Sequence, residues 1–140
     1  MKPTPEIEAI LMERFGGNSL IALATCENNT PFVRTVDAFY LDSCFYVLTH
    51  SLSGKMKQLA ANPLCAISGD WFTAHGTGEN LGWFCKPENK PIAERMRSIF
   101  AAWIDNGHND FGDENTCILC IHLKDAILFH HGTCYRLEYE

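Results

Sequence analysis

The 140-residue chain has no long apolar run. Nothing in it approaches the ~18 consecutive apolar residues that cross a bilayer as a helix, and residues 1–18 carry Lys2, Glu6, Glu8, Glu13 and Arg14 where an export signal would be apolar. These absences predict a soluble, cytoplasmic protein with no membrane partner. Positive charge is also scarce: 11 basic residues stand against 17 acidic ones, for a formal net charge of −6, and the basic ones are scattered. That composition argues against a nucleic-acid partner, since a phosphate backbone is bound by clustered Lys and Arg. No Ser-His-Asp order, Walker loop or GxGxxG is present, so no hydrolase triad, P-loop or dinucleotide fingerprint is expected. No internal repeat or low-complexity segment appears.

A second CxxC is missing too. The single one, Cys117-Ile118-Leu119-Cys120, lies in a strand-like run, where residues three apart point to opposite faces, so no metal site is expected from it. His122, His130 and His131 could complete a zinc site with that pair, but surface or hydrogen-bonded histidines explain them more simply. The seven cysteines (26, 44, 65, 85, 117, 120, 134) are odd in number and mostly sit in apolar strand patterns, which favours buried free thiols over a disulfide framework.

Apolar residues make up 46% and charged ones 20%, a globular balance, and the length suits one domain over 1–140. Thr4 as N-cap, Pro5, an apolar stripe of Ile7, Ile10, Leu11 and Phe15, and a Gly16-Gly17 stop predict a short helix packed on a sheet edge. Leu20–Thr25 and Phe32–Tyr40 flank the polar turn Glu27–Pro31 and read as a hairpin, with a third strand following Leu41-Asp42-Ser43. Leu64–Trp71 and Thr73–Phe84 form another strand pair; Gly76, Gly78 and Gly82 in the second mark a bulge or a close approach. A helical stripe from Ile92 to Trp103 ends at Asn106-Gly107, and the last strands are Thr116–Leu123 and Ala126–Glu138, interrupted around His130-His131-Gly132. Six or seven strands joined mostly as neighbours, with three helices, point to an antiparallel barrel. Trp71, Trp83 and Trp103 read as core or interface packing.

The chemistry concentrates in Thr49–Pro63, THSLSGKMKQLAANP, where a strand turns into a helix. Ser53 has N-cap chemistry, Gly54 and Lys55 begin the helix, and Asn62-Pro63 ends it. The unpaired N–H groups of a first helical turn carry about half a positive charge, and Lys55 adds a full one, which suits an anion such as phosphate. The alternative is a capped surface helix with a solvated lysine. Arg34 is the one charge on the face Phe32, Arg34, Val36, Ala38, Tyr40, and burying it unpaired would cost about 3–5 kcal/mol, so it meets water, an acidic neighbour or an anion. Arg34, Thr49, Ser53 and Lys55 are the constellation that stands out. Tyr40, His50 and His130 are the residues that could border a pocket, and the catalytic residues are unknown.

Taken together, ALAT (22–25), PFVRTV (31–36), CFYVLT (44–49), SGK (53–55) and NP (62–63) resemble, in order and spacing, the FMN-binding split barrels of the pyridoxamine 5′-phosphate oxidase-like family, nearest its short branch related to general stress protein 26. The resemblance implies a mainly β fold, a six-stranded antiparallel split barrel of Greek-key type with flanking helices. It also implies a homodimer with FMN at two sites along its interface. Carried over by position, Arg34, Ser53 and Lys55 would hold the FMN phosphate with Thr49, and the backbone of Thr35, Val36 and Leu48 would line the ribityl chain and isoalloxazine. Two departures matter. Gly54 stands where the oxidases tend to carry another basic residue, and the oxidases' closing tryptophan and arginine-histidine segment has no counterpart before Tyr139-Glu140, which disfavours pyridoxamine phosphate as substrate. The implied function is an FMN oxidoreductase working between a small-molecule electron donor and acceptor. The alternative is a flavin- or haem-binding stress-related module without turnover, and a deazaflavin in place of FMN stays open.

Overall fold

The computed structural model describes residues 1–140. The helix α1 (Pro5–Phe15) is followed by β1 (Ser19–Glu27), β2 (Thr30–Leu41), β3 (Cys44–His50), α2 (Gly54–Ala61), β4 (Leu64–Gly69), β5 (Phe72–Trp83), a 3-10 turn (Pro87–Asn89), α3 (Lys90–Ile99), β6 (Thr116–His130) and β7 (Thr133–Glu138). The first two hairpins turn on residues that accept a left-handed backbone: Asn28 and Asn29 at φ 50° and 61°, then Asp42 and Ser43 at φ 49° and 66°. Paired positive φ values match the twist of the flanking strands and keep both hairpins tight.

Every strand pair is antiparallel. The order β3-β2-β1-β4-β5-β6 is closed by pairing β3 with β6, and β7 continues the sheet along the second half of β6. The expected six-stranded barrel is therefore present, with one strand added. Alternate residues of all six strands point inward, among them Leu23, Tyr40, Phe45, Ile67, Phe72 and Ile121. The apolar stripe of α1 joins this same core, with the Phe15 ring 5.6 Å from Phe45 and 5.3 Å from Phe72. That corrects the expectation of a helix lying on a sheet edge: Ile7, Leu11 and Phe15 find fuller burial against the barrel interior. Thr4 does cap α1, accepting from the Ile7 N–H.

A second apolar cluster covers the barrel's outside. Phe39 and Ile118 from the outer faces of β2 and β6 pack with Ala93 and Met96 of α3 and with Phe100 and Ile104 beyond it. The helix stops at Ile99, short of the expected Asn106-Gly107, and the chain continues in turns that still present Phe100, Trp103 and Ile104 to the cluster.

Two features of the ladder place the site. β2 pairs with β1 from Thr30 to Ala38 but with β3 only at Phe39–Leu41. Beyond that point the strands diverge, because β3 follows β6 down to the Thr116 pairing. The facing edges of residues 30–38 and 47–50 are left without a strand partner, and this is the split in the barrel. The second feature is β6, a single 15-residue strand where two were expected. Lys124 does not end it; His75 pairs with Asp125 while Gly76 pairs with Leu123, so Lys124 is the extra residue of a bulge. At that bulge a Cβ on Gly76 would lie 2.5 Å from the His122 carbonyl oxygen, a clash with backbone that cannot yield. Gly76→Ala should therefore lower stability by about 1–3 kcal/mol, read as a lower urea midpoint at unchanged slope; an unshifted midpoint would refute the close approach.

Candidate functional site

The site is assembled by α2 and the two diverging strands. α2 is seated by Leu59, whose methyl groups lie against β5 where a Cβ on Gly78 would come within 2.9 Å of them. A glycine in the strand is what lets the helix sit this close. Its first turn then faces the end of β3. Ser53 has the extended backbone of an N-cap, yet its side chain makes no capping bond, and its Oγ is buried without any hydrogen-bond partner. The N–H groups of Gly54, Lys55 and Met56 have no intrachain acceptor either. An anion placed here would meet several unused donors.

Lys55 turns back over the strand end, its Nζ donating to Thr49 Oγ1 at 2.9 Å. Arg34 reaches across from β2: Nη1 donates to Thr25 Oγ1 at 2.8 Å and to the Leu23 carbonyl at 3.2 Å, and Nη2 to Gln58 Oε1 at 2.9 Å. All of these partners are neutral, and neither cation takes part in any ion pair. Burial lowers the pKa of both, and the Arg34 charge lowers that of Lys55 further. Of the possibilities for Arg34, the acidic neighbour is thus not what the structure shows.

Thr49, Ser53 and Lys55 border a cleft of about 490 Å³ whose other walls carry His50, His108, Asn109, Asp110, Asp113 and Thr116. His50 accepts from the Leu52 N–H at Nδ1, 3.3 Å, which leaves Nε2 to donate to Asp113 Oδ2 at 2.9 Å. That bond, with the Asn115 N–H, holds the Asp113 carboxyl below the usual range. Of the other expected residues, Thr35 is exposed on the outer face, Val36 is half-buried against the main core, and Leu48 packs on the outer cluster. None of the three lines the cleft, but their backbones lie on the unpartnered edges of the split. Tyr40 is removed from it altogether, fully buried with its hydroxyl donating to Glu8 at 2.8 Å. His130 borders a different cleft, of about 600 Å³, where Arg14 is spent on the carbonyls of Asp70 and Phe129.

Sequence reasoning missed Thr25 and Gln58, the residues that hold Arg34. Gln58 lies on the polar side of α2, with no local signal to separate it from a surface glutamine.

The fold defines a class: the chain has the split-barrel fold of pyridoxamine 5′-phosphate oxidase-like proteins, several of which have solved structures that it resembles. Other solved structures that it resembles are general stress protein 26 from Bacillus anthracis, at 16% identity and a TM-score of 0.69 over 94% of this chain and 99% of that one, and an FAD-binding protein from Mesorhizobium loti, at 16% identity and 0.66 over 86% and 89%. A haem-binding protein from Mycobacterium smegmatis aligns at 15% identity and a TM-score of 0.69 over 99% of this chain and 59% of that one. No family model and no curated protein sequence matches the chain. No helix is long and apolar enough to cross a membrane.

The electrostatics of the cleft can be tested directly. With a folded pKa below the unfolded one, Lys55 costs stability while charged, and that cost is relieved as pH rises through the folded value towards the unfolded one. NMR titration of the Lys55 side chain should show it losing its proton below the ordinary lysine range, and added phosphate should move the transition back up. A normal titration that phosphate leaves unmoved would contradict the arrangement.

Proposed function

We propose that the chain is a cytoplasmic flavoprotein that holds FMN, by its phosphate, at the start of α2 and works as a homodimeric oxidoreductase between a small-molecule donor and acceptor. The observation that carries this reading is the buried, unpartnered Ser53 Oγ on the cleft that Lys55 also borders, together with the neutral partners of Lys55 and of Arg34, which does not line the cleft but lies close enough to act on Lys55. A dianionic phosphate monoester supplies what all three lack. Arg34, Ser53 and Lys55 would contact it with Thr49, and the free backbone groups along Thr35, Val36 and Leu48 would meet the ribityl chain and the ring. FMN when bound supplies two-electron chemistry; the protein's part is to bind it, orient it and shield it from water. The dimer is supported by exposed apolar residues on the outer faces of β1 and β2, with Leu20 67% and Val33 70% accessible. Likeness to an FAD-binding protein supports a flavin, and that to a haem-binding protein supports a second reading, a flavin- or haem-binding module without turnover.

The visible spectrum of freshly purified protein, before and after desalting with added FMN, tests the cofactor: flavin bands that survive desalting support it, and a colourless protein that cannot retain FMN overturns it. Bleaching of the flavin by reduced nicotinamide, and recovery on adding a nitro-aromatic acceptor, would separate the enzyme from the passive module. Arg34→Ala and Lys55→Ala should each weaken FMN binding by about 1.5–3 kcal/mol, the scale of a charge-assisted hydrogen bond, in a protein that stays folded. Unchanged affinity in both would remove the phosphate site.

A further inference from the structure

A second cluster of chemically active side chains lies on the barrel's outer face. The pairing of β3 with β6 sets Cys44 directly opposite His122 and Tyr46 opposite Cys120, while Phe45, Val47, Leu119 and Ile121 point into the core. Cys44, Cys120 and His122 therefore share the outward face. One ligand atom from each lies within 4.8 Å of the others. The His122 Nδ1 is 3.5 Å from Cys44 Sγ, and its Nε2 is 2.8 Å from Glu79 Oε1 on the neighbouring β5. An ionised Glu79 accepts, so Nε2 carries the proton and Nδ1 presents its lone pair to the sulfur.

We propose that Cys44, Cys120 and His122 form a binding site for a thiophilic divalent metal ion, zinc by preference, with a fourth position open to water or an added ligand. Three observations carry it. A tetrahedral zinc with Zn–S of about 2.3 Å and Zn–N of about 2.0 Å separates a sulfur and a nitrogen ligand by about 3.5 Å, which matches the observed 3.5 Å. The carboxylate behind the histidine is the usual outer partner of a metal-bound imidazole, fixing its tautomer and orientation. The position gives both shelter and access: Cys44 and Cys120 are 8% and 2% exposed, whereas the His122 side chain is half exposed and leaves a way in. Binding is balanced by releasing the two thiol protons, so that two thiolates and a neutral imidazole meet the dication. The proposal departs from the sequence expectation of no metal because the partner of Cys120 is not Cys117, which points into the core, but Cys44 on another strand.

The test uses the full chain, reduced and stripped with a chelator, titrated with Co(II). Expected is one Co(II) per chain, with the visible bands of a tetrahedral site and a thiolate-to-cobalt charge-transfer band, both bleached by one equivalent of zinc. Cys44→Ser and Cys120→Ser should each remove most of the charge-transfer intensity, whereas Cys117→Ser should leave it. Should the cysteine variants fold poorly, His122→Ala at a half-exposed position serves the same purpose, and Glu79→Gln should weaken the metal by about 10–100-fold with the spectrum kept. Absence of stoichiometric uptake by the reduced wild-type chain would overturn the proposal, as would uptake that survives both loss of His122 and loss of Cys44.

Discussion

The pairing of β3 with β6 is the constraint on which the rest of this structure depends. It closes the barrel, and it draws β3 away from β2 after only three paired residues of β2, Phe39–Leu41. Had β3 stayed with β2, residues 30–38 would have a full set of ladder partners and no opening would exist. Closure on one side thus creates the split on the other. The same register separates the two faces of β6, with Leu119 and Ile121 filling the interior and Ile118 anchoring the helical cover outside. β6 serves both roles because the bulge at Lys124 lets it bend without ending, and Gly76 gives that bulge room.

Within the split, electrostatics decides what the site can hold. A chain of formal charge −6 has many carboxylates available, yet Arg34 and Lys55 are held by Thr25, Gln58, Leu23 and Thr49 alone. Nearby Asp113 is engaged with His50, and Asp110 accepts from the Gly112 N–H. The neutral partners position the two cations without cancelling them, so attraction for an external anion remains. Were a carboxylate present in their place, the site would be internally satisfied and an anion would have to displace it.

Much of this was legible in the sequence, for local reasons. The Thr4–Pro5 start of α1, the turns at Asn28-Asn29 and Asp42-Ser43, and the Ser53–Asn62 bounds of α2 are written in residues whose backbone preferences act within a few positions. Arg34, Thr49, Ser53 and Lys55 stood out because a charge on an apolar strand face and a cation at a helix start are unusual in themselves. What was not legible is what depends on distant pairing. The polar Lys124-Asp125 reads as a break, and only the match of His75 with Asp125 shows it to be a bulge. Thr25 and Gln58 carry no local mark of their role, since they meet Arg34 only when β1 and α2 have docked. Cys44 and His122 are 78 residues apart and become neighbours solely through barrel closure.

Gly54 adds no charge to the first turn of α2. A Cβ at this position would meet nothing within 4 Å, so the packing does not require glycine. The cleft is left with Lys55 on its wall and Arg34 close to Lys55. Its remaining attraction comes from two cations and from neutral donors: the Ser53 hydroxyl and the free N–H groups of the first turn of α2. Neutral donors act over a shorter range than charges and depend more on direction. They favour a tetrahedral group whose oxygens each find a donor over a diffuse anion of the same charge. Donors arranged this way select by shape more than by field.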